Sequence, residues 1–318
     1  MYKSIISLNG MCASTIKWRL TDLCNYQCSY CIRKKTVSID NKKSMSENWD
    51  RIVKTIPEVA RIIKELPGFV KLDLIGGECT IFNLHYILEE LFKICGEKLK
   101  RINLTTNMSQ SADYYNDLTE LCYQYNSEIG ITCSWHYQFC SMDDFLAKFS
   151  QIKSPTNQKG IRVEAVSLIN NQPEIRTLIE RCRAAGFSYF IERDMFASID
   201  DKEKLICESS STKKDRYKVI DDEGYIKMYK TRNEFLTSNL DSDKTTVEPC
   251  GYYCSRDYDY VYIEIDKHLG RADETSTCRS TNNLKDFHPL KSPAVCVNSV
   301  CTLCGQISIS QEKEVLLK

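Results

Sequence analysis

Residues 15–31 read TIKWRLTDLCNYQCSYC. Thr15–Thr21 is a strand candidate that runs straight into Cys24. Cys24, Cys28 and Cys31 follow as Cys-x3-Cys-x2-Cys, so three thiolates of one short loop can face a single point. A cubane four-iron cluster wants four ligands, and three leave one iron open to a substrate or a cofactor. A zinc knuckle is the plainer alternative. Zinc sites prefer four protein ligands, often as paired Cys-x2-Cys units, and no nearby His completes a set here. Tyr30 stands directly before the last cysteine, where an aromatic ring could pack on a flat cofactor.

Downstream of that loop the chain alternates. Met45–Leu66 has a helical pattern, with Ile52, Val53, Ile56, Val59, Ile62 and Ile63 on a broad apolar face. Pro57 is expected to kink or break it. Strand candidates follow at Val70–Ile75, Arg101–Thr105, Ile129–Ser134, Arg162–Leu168 and Phe187–Arg193. Helix candidates lie between them at His85–Cys95, Ala112–Tyr125, Met142–Ile152 and Glu174–Ala185, the last with Gly186 as its stop. Regular strand–helix alternation implies an α/β fold with parallel strands and right-handed crossovers. It fits a partial barrel or an open doubly wound sheet, and periodicity does not choose between them. After Asp194 the chain becomes polar. Residues 1–195 read as the core, 196–248 as a polar insert or bridging segment with a hairpin around Asp222-Glu223-Gly224, and 249–318 as a small cysteine-rich domain.

The bulk numbers agree with a globular protein: 318 residues, 42% hydrophobic and 27% charged. Lys+Arg and Asp+Glu are both 43, a balance that disfavours nucleic acid as a partner, since phosphate-backbone binders are usually basic. No signal peptide and no run of about 18 apolar residues is visible, so a cytoplasmic protein with no membrane partner is expected. The 17 cysteines point to metal in a reducing compartment. The eight scattered through predicted strands and helices, Cys12, Cys79, Cys95, Cys122, Cys133, Cys140, Cys182 and Cys207, read as small buried hydrophobes.

The cysteine spacing, the aromatic before the third cysteine and the position after the first strand resemble the signature of the radical S-adenosylmethionine (SAM) superfamily. Gly76-Gly77-Glu78 after the second strand resembles the superfamily's Gly-Gly-Glu motif, with Cys79 where the family usually has Pro. The resemblance covers about residues 15–195 and implies a partial (βα)6 TIM-like barrel. It implies a four-iron cluster on Cys24, Cys28 and Cys31, whose open iron chelates SAM, and a 5′-deoxyadenosyl radical that abstracts a hydrogen atom. Carbonyls around Gly76 and Gly77, with Glu78, would accept from SAM's ammonium. Thr106-Asn107 at the end of the third strand and Ser134 at the end of the fourth are further candidate SAM contacts, as is Arg193 at the end of the sixth, for a carboxylate. His136 is read as an acid/base or, slightly favoured, a structural hydrogen bonder. Ser167 and Glu192 also end strands, where α/β folds place their ligand sites.

Cysteines recur at 250, 254, 278, 296, 301 and 304. Their order loosely resembles the SPASM and twitch domains that carry auxiliary clusters in radical SAM enzymes. The expected ligands of a second four-iron cluster are Cys254, Cys278, Cys301 and Cys304, and a structural zinc is the alternative. Relatives of that kind commonly modify peptides, which implies oxidative or cross-linking modification of a peptide here. Only 23 residues precede Cys24, too few for a leader-binding domain, which weakens the peptide reading and leaves a sugar or amino-acid derivative as alternative. The resemblance also implies a reductant such as flavodoxin or ferredoxin. A non-catalytic iron–sulfur or zinc protein is the remaining class, and the retained Gly-Gly-Glu argues against it.

Overall fold

Alternate residues of each strand are apolar, and those residues build the core. The structure, a computed structural model, describes residues 13–31, 37–38, 42–153, 160–194, 197–202, 204–210, 217–220, 226–229, 253–254, 260–263, 284–289 and 294–295. The chain divides into two compact units. One comprises Lys17–Ile63 and Lys71–Thr212; the other comprises Met1–Ile16, Lys64–Val70 and Lys213–Lys318.

The first of these is the α/β unit. Its strands are β1 (Ala13–Thr21), β2 (Phe69–Gly76), β3 (Leu99–Thr106), β4 (Glu128–Trp135), β5 (Ile161–Ser167), β6 (Tyr189–Arg193) and the short β7 (Glu208–Ser209). They lie side by side in chain order. β3 to β6 pair in parallel, and β7 adds antiparallel to β6. A doubly wound sheet would reverse its order at a switch point. The unbroken order from β1 to β6 is instead the winding of a partial barrel, and the sheet is mostly parallel. The unit takes in residues 196–212, beyond the end read for the core from sequence.

The crossovers are α1 (Lys42–Glu65), α2 (Leu84–Cys95), α3 (Ala112–Gln124), α4 (Met142–Ser150) and α5 (Gln172–Ala185). Asn83, Ser111 and Ser141 cap α2, α3 and α4 by accepting from the N–H groups of Tyr86, Tyr114 and Asp144. Gly186 ends α5 in the left-handed region at φ 70°. Of the kink or break expected at Pro57, the break does not occur: α1 runs through it. The proline sits on the exposed side, opposite buried Ile52, Ile56, Val59 and Ile63, so the carbonyl that loses its N–H partner can turn to water.

The helix-facing side of the sheet is closed. Leu72, Leu74, Ile102, Leu104, Ile131, Cys133, Val163, Ala165 and Ile191 are all buried there. Each fully buried Leu or Ile contributes about 1.5–3 kcal/mol. The other unit contains an antiparallel hairpin, Tyr217–Ile220 with Ile226–Tyr229, flanking the turn expected at Asp222-Glu223-Gly224. It also holds the pairing of Tyr253–Cys254 with Ala294–Val295. Cys254 is described as strand backbone only, and Cys12, Cys250, Cys278, Cys296, Cys301 and Cys304 lie outside the described residues. Among the described residues no helix is long and apolar enough to cross a membrane.

Candidate active site

β1 ends at Thr21, and the chain turns into the cysteine loop two residues later. Thr21 Oγ1 accepts from the Leu23 N–H (3.0 Å), and Leu23–Cys24 pairs with Val37–Ser38 to close the loop's base. Cys24, Cys28 and Cys31 are in no disulfide and of intermediate exposure, and a turn (Cys31 N to Cys28 O, 3.1 Å) links the last two.

Two braces hold this loop. The first comes from the ends of β2 and β3. The Gly77 N–H donates to the Thr21 carbonyl at 2.7 Å, and the Glu78 N–H to that of Leu23 at 2.8 Å. This approach requires glycine: a Cβ on Gly76 would lie 2.6 Å from the Thr21 oxygen, and one on Gly77 2.2 Å from the Leu23 oxygen. That freedom serves backbone contact with the residues just before Cys24.

Glu78 is also turned inward. It is buried, and its Oε1 accepts from the Thr80 N–H (3.0 Å), the Thr80 hydroxyl (2.7 Å) and the Thr106 hydroxyl (2.9 Å), while Oε2 accepts from the Asn107 N–H (2.6 Å). Burial raises its pKa against these hydrogen bonds, which favour the ionised form. Thr106, buried as well, meets the Tyr115 hydroxyl at 3.1 Å. Asn107 carries the brace onward: its Nδ2 donates to Asn25 Oδ1 (2.8 Å), beside Cys24. Thr106 and Glu78 therefore work as internal struts, and Asn107 reaches the loop.

The second brace is residues 136–140, directly after β4. Gln138 clasps Ser29, its Oε1 accepting from the Ser29 N–H (3.1 Å) and its Nε2 donating to the Ser29 hydroxyl (2.9 Å). Phe139 stacks on Tyr26 at 4.6 Å between ring centroids. Tyr30 stacks on His136 and Tyr137, at 6.0 and 5.9 Å. It was expected to face a flat cofactor; here its neighbours are protein rings. His136 Nδ1 lies 3.2 Å from Cys28 Sγ and 3.0 Å from the Tyr30 hydroxyl, and burial lowers its pKa to about 4. Asn25, Ser29, Tyr26, Gln138 and Phe139 were not singled out from sequence. The polar–aromatic run Trp135–Phe139 after a strand was the only signal for the second brace.

Burial raises the Cys24 thiol to about 11, with Glu78 and Cys31 adding to the effect and the Tyr26 N–H opposing it. Burial likewise raises Cys28 to about 12, with Cys24 and Cys31 adding and the Tyr30 hydroxyl opposing. A metal held there would take these groups as thiolates and release their protons. Among the described residues no three His, Cys, Asp or Glu side chains are arranged to hold a single metal ion. Three thiolates carried on one short loop suit the corners of a four-iron cluster, whose ligands need not converge on one point as those of a single ion do.

The side of the sheet away from the helices is polar. Strand register sets Thr105 beside Thr132 and Thr132 beside Arg162; next along the strands lie Ser134, Glu164 and Phe190. Arg162 donates to Thr132 Oγ1 (3.2 Å) and lies over the Phe190 ring at 5.3 Å. Burial raises Glu164 to about 7, with Glu192 adding and Arg162 opposing. Ser134 is half-buried on this face, and Arg193 is exposed at the end of β6. Ser167 is fully buried, and its hydroxyl accepts from Gln172 Nε2 (2.7 Å) and the Ile206 N–H (3.0 Å).

No family model matches the chain. Two curated proteins resemble part of it, both named GTP 3',8-cyclase. The one from Rhizobium etli (strain CIAT 652) is 30% identical over 113 residues, which are 35% of this chain and 30% of that protein. The one from Rhizobium leguminosarum bv. trifolii (strain WSM2304) is 28% identical over 111 residues, 34% of this chain and again 30% of the relative. The likeness supports the radical SAM superfamily. The chain spans less than a third of the length of these relatives. The two braces fix the cysteine triplet at the strand ends, where α/β folds gather their ligands.

Proposed function

We propose that this chain is a radical SAM enzyme in which Cys24, Cys28 and Cys31 hold a four-iron cluster with one open iron. With S-adenosylmethionine bound, the cluster supplies a 5′-deoxyadenosyl radical that takes a hydrogen atom from the substrate. The observation that carries this reading is the cysteine loop itself: three cysteines within eight residues, on a loop pinned from the ends of β2, β3 and β4. The chain's own residues hold and orient. Gly76, Gly77, Glu78, Thr106 and Asn107 set the loop's base, while half-buried Ser134 and exposed Arg193 are left to meet the ribose and carboxylate of SAM.

Oxidative or cross-linking modification of a peptide is the substrate reading suggested by the C-terminal cysteines. There we propose a SPASM- or twitch-like second cluster on Cys254, Cys278, Cys301 and Cys304, with zinc as alternative. The polar face around Thr132, Arg162 and Glu164 favours a second substrate reading, a small polar molecule, and the relatives' name carries a nucleotide. The partner is a reductant of the flavodoxin or ferredoxin kind.

The deciding experiment is anaerobic reconstitution with iron and sulfide, followed by SAM, dithionite and an assay for 5′-deoxyadenosine. The wild-type chain should form it, and Cys24→Ala, Cys28→Ala and Cys31→Ala should each abolish it. Undiminished product in all three would sink the assignment. An iron count of about eight per chain supports two clusters, and about four plus zinc makes the C-terminal site structural.

A further inference from the structure

The second brace puts one nitrogen beside one sulfur. His136 Nδ1 is 3.2 Å from Cys28 Sγ, although 108 residues separate the two in sequence. The imidazole is fixed from several sides. It lies nearly parallel to Tyr30 (interplanar 16°) and edge-on to Tyr26 (81°). Its backbone carbonyl accepts from the N–H groups of Phe139 (2.9 Å) and Cys140 (3.2 Å). Trp135 Nε1 donates to the Cys140 carbonyl (3.1 Å) and closes the same turn. A side chain held only for packing needs no polar atom aimed at a cysteine.

A thiolate that ligates iron has no proton to give, so a nitrogen facing it at this distance acts as donor. The Tyr30 hydroxyl hydrogen-bonds the same cysteine and lies 3.0 Å from the same nitrogen. Donors to cluster sulfurs draw off negative charge and make the added electron less costly, which raises the reduction potential. We infer that His136 is a positioning residue that donates from Nδ1 to the Cys28 thiolate, with Tyr30 as second donor, and so raises the potential of the bound cluster. This rests on the reading of Cys24, Cys28 and Cys31 as cluster ligands.

The test compares wild type, His136→Phe, His136→Gln and Tyr30→Phe after anaerobic reconstitution. Iron is counted per chain, and the potential is read by mediated titration followed by electron paramagnetic resonance. His136→Phe keeps a ring but loses the donor. It should load iron and show an about tenfold lower ratio of reduced to oxidised cluster at a fixed applied potential, about 59 mV for a one-electron couple. His136→Gln keeps a donor and should recover most of the shift; Tyr30→Phe should shift less, in the same direction. A loaded His136→Phe with unchanged potential overturns the inference, and so do Phe and Gln variants that shift equally. Should His136→Phe fail to load iron, Tyr30→Phe decides: a lowered potential supports the donor pair, an unchanged one overturns it. Wild-type protein that binds no iron overturns the enzyme reading as well, which separates the two failures.

Discussion

Along β4, Ile131, Cys133 and Trp135 are buried, whereas Thr132 and Ser134 between them are only half-buried. β2 repeats this with Leu72 and Leu74 against Lys71 and Asp73, and β5 with Val163 and Ala165 against Arg162 and Glu164. The same strands thus present two unlike faces. The helix-facing one is filled to exclusion of water, and there volume decides which residue fits. The other carries groups whose value lies in polarity and reach, including a carboxyl held near neutrality. One period-two pattern supplies both a core and a surface able to do chemistry.

The sharpest way to break that contrast is to place the same charge on both faces. Leu72→Asp buries an unpaired carboxylate among helices and should cost more than about 4 kcal/mol, enough to unfold a marginal domain. Thr105→Asp, at an exposed position of the other face, should stay within about 1 kcal/mol of wild type. Urea midpoints measure both, and equal losses would mean that the polar face is core after all.

Next in size is Gly77→Ala, which tests whether the strand end supports the cysteine loop. The new Cβ would lie 2.2 Å from the Leu23 carbonyl oxygen, so backbone must move. The expected cost is about 2 kcal/mol, with iron per chain falling after reconstitution. Full iron loading at unchanged stability would show the first brace to be dispensable.

Glu164 gives a pH test of the polar face. Its usual value near 4.5 is raised to about 7 by burial and Glu192, against Arg162. Below about pH 4.5 both folded and unfolded states are protonated, and there is no penalty. Between 4.5 and 7 the folded state keeps a proton that the unfolded chain has released, so stability falls as pH rises through this window. Above it the penalty is complete. Glu164→Gln should therefore be more stable than wild type at pH 8, by on the order of 1–3 kcal/mol, and indistinguishable below pH 4.5. A constant difference across the range would show that the carboxyl is not perturbed by its setting.

The fold was largely legible because its signals are local. Strand–helix alternation and the Gly186 stop are each read from a few neighbouring residues. The hairpin expected between 196 and 248 is found as Tyr217–Ile220 paired with Ile226–Tyr229, and the strand expected at Val70–Ile75 is found at Phe69–Gly76. The break expected at Pro57 is absent because that proline faces water. Of the cysteines read as buried, Cys207 is exposed and Cys140 only half-buried, since a sequence does not say which side of an element meets solvent. The site was legible only in its motif. What the motif did not show is that Glu78 is braced by Thr106 and Asn107, which come from the end of another strand about 28 residues away. The His136–Cys28 and Gln138–Ser29 contacts join segments more than 100 residues apart, and only the closure of the sheet brings them together.

The cysteines allow the smallest and cleanest comparison, because the same atoms are removed at both places. Cys133 is fully buried on the helix-facing side of β4, and burial raises its thiol well above the usual value. It packs as a small apolar group, so Cys133→Ala should cost about 1 kcal/mol for the lost contacts and cavity and leave iron loading untouched. Cys24 sits half-buried on the loop that also carries Cys28 and Cys31, and burial raises its thiol to about 11. Cys24→Ala should leave the stability of the metal-free chain within about 0.5 kcal/mol of wild type and abolish the cluster. Denaturant midpoints of the apo proteins, with iron counts of the reconstituted ones, read the two effects separately. A Cys133 variant that lost iron would move that residue from packing into the site, and an apo Cys24 variant that unfolded would make the loop part of the core.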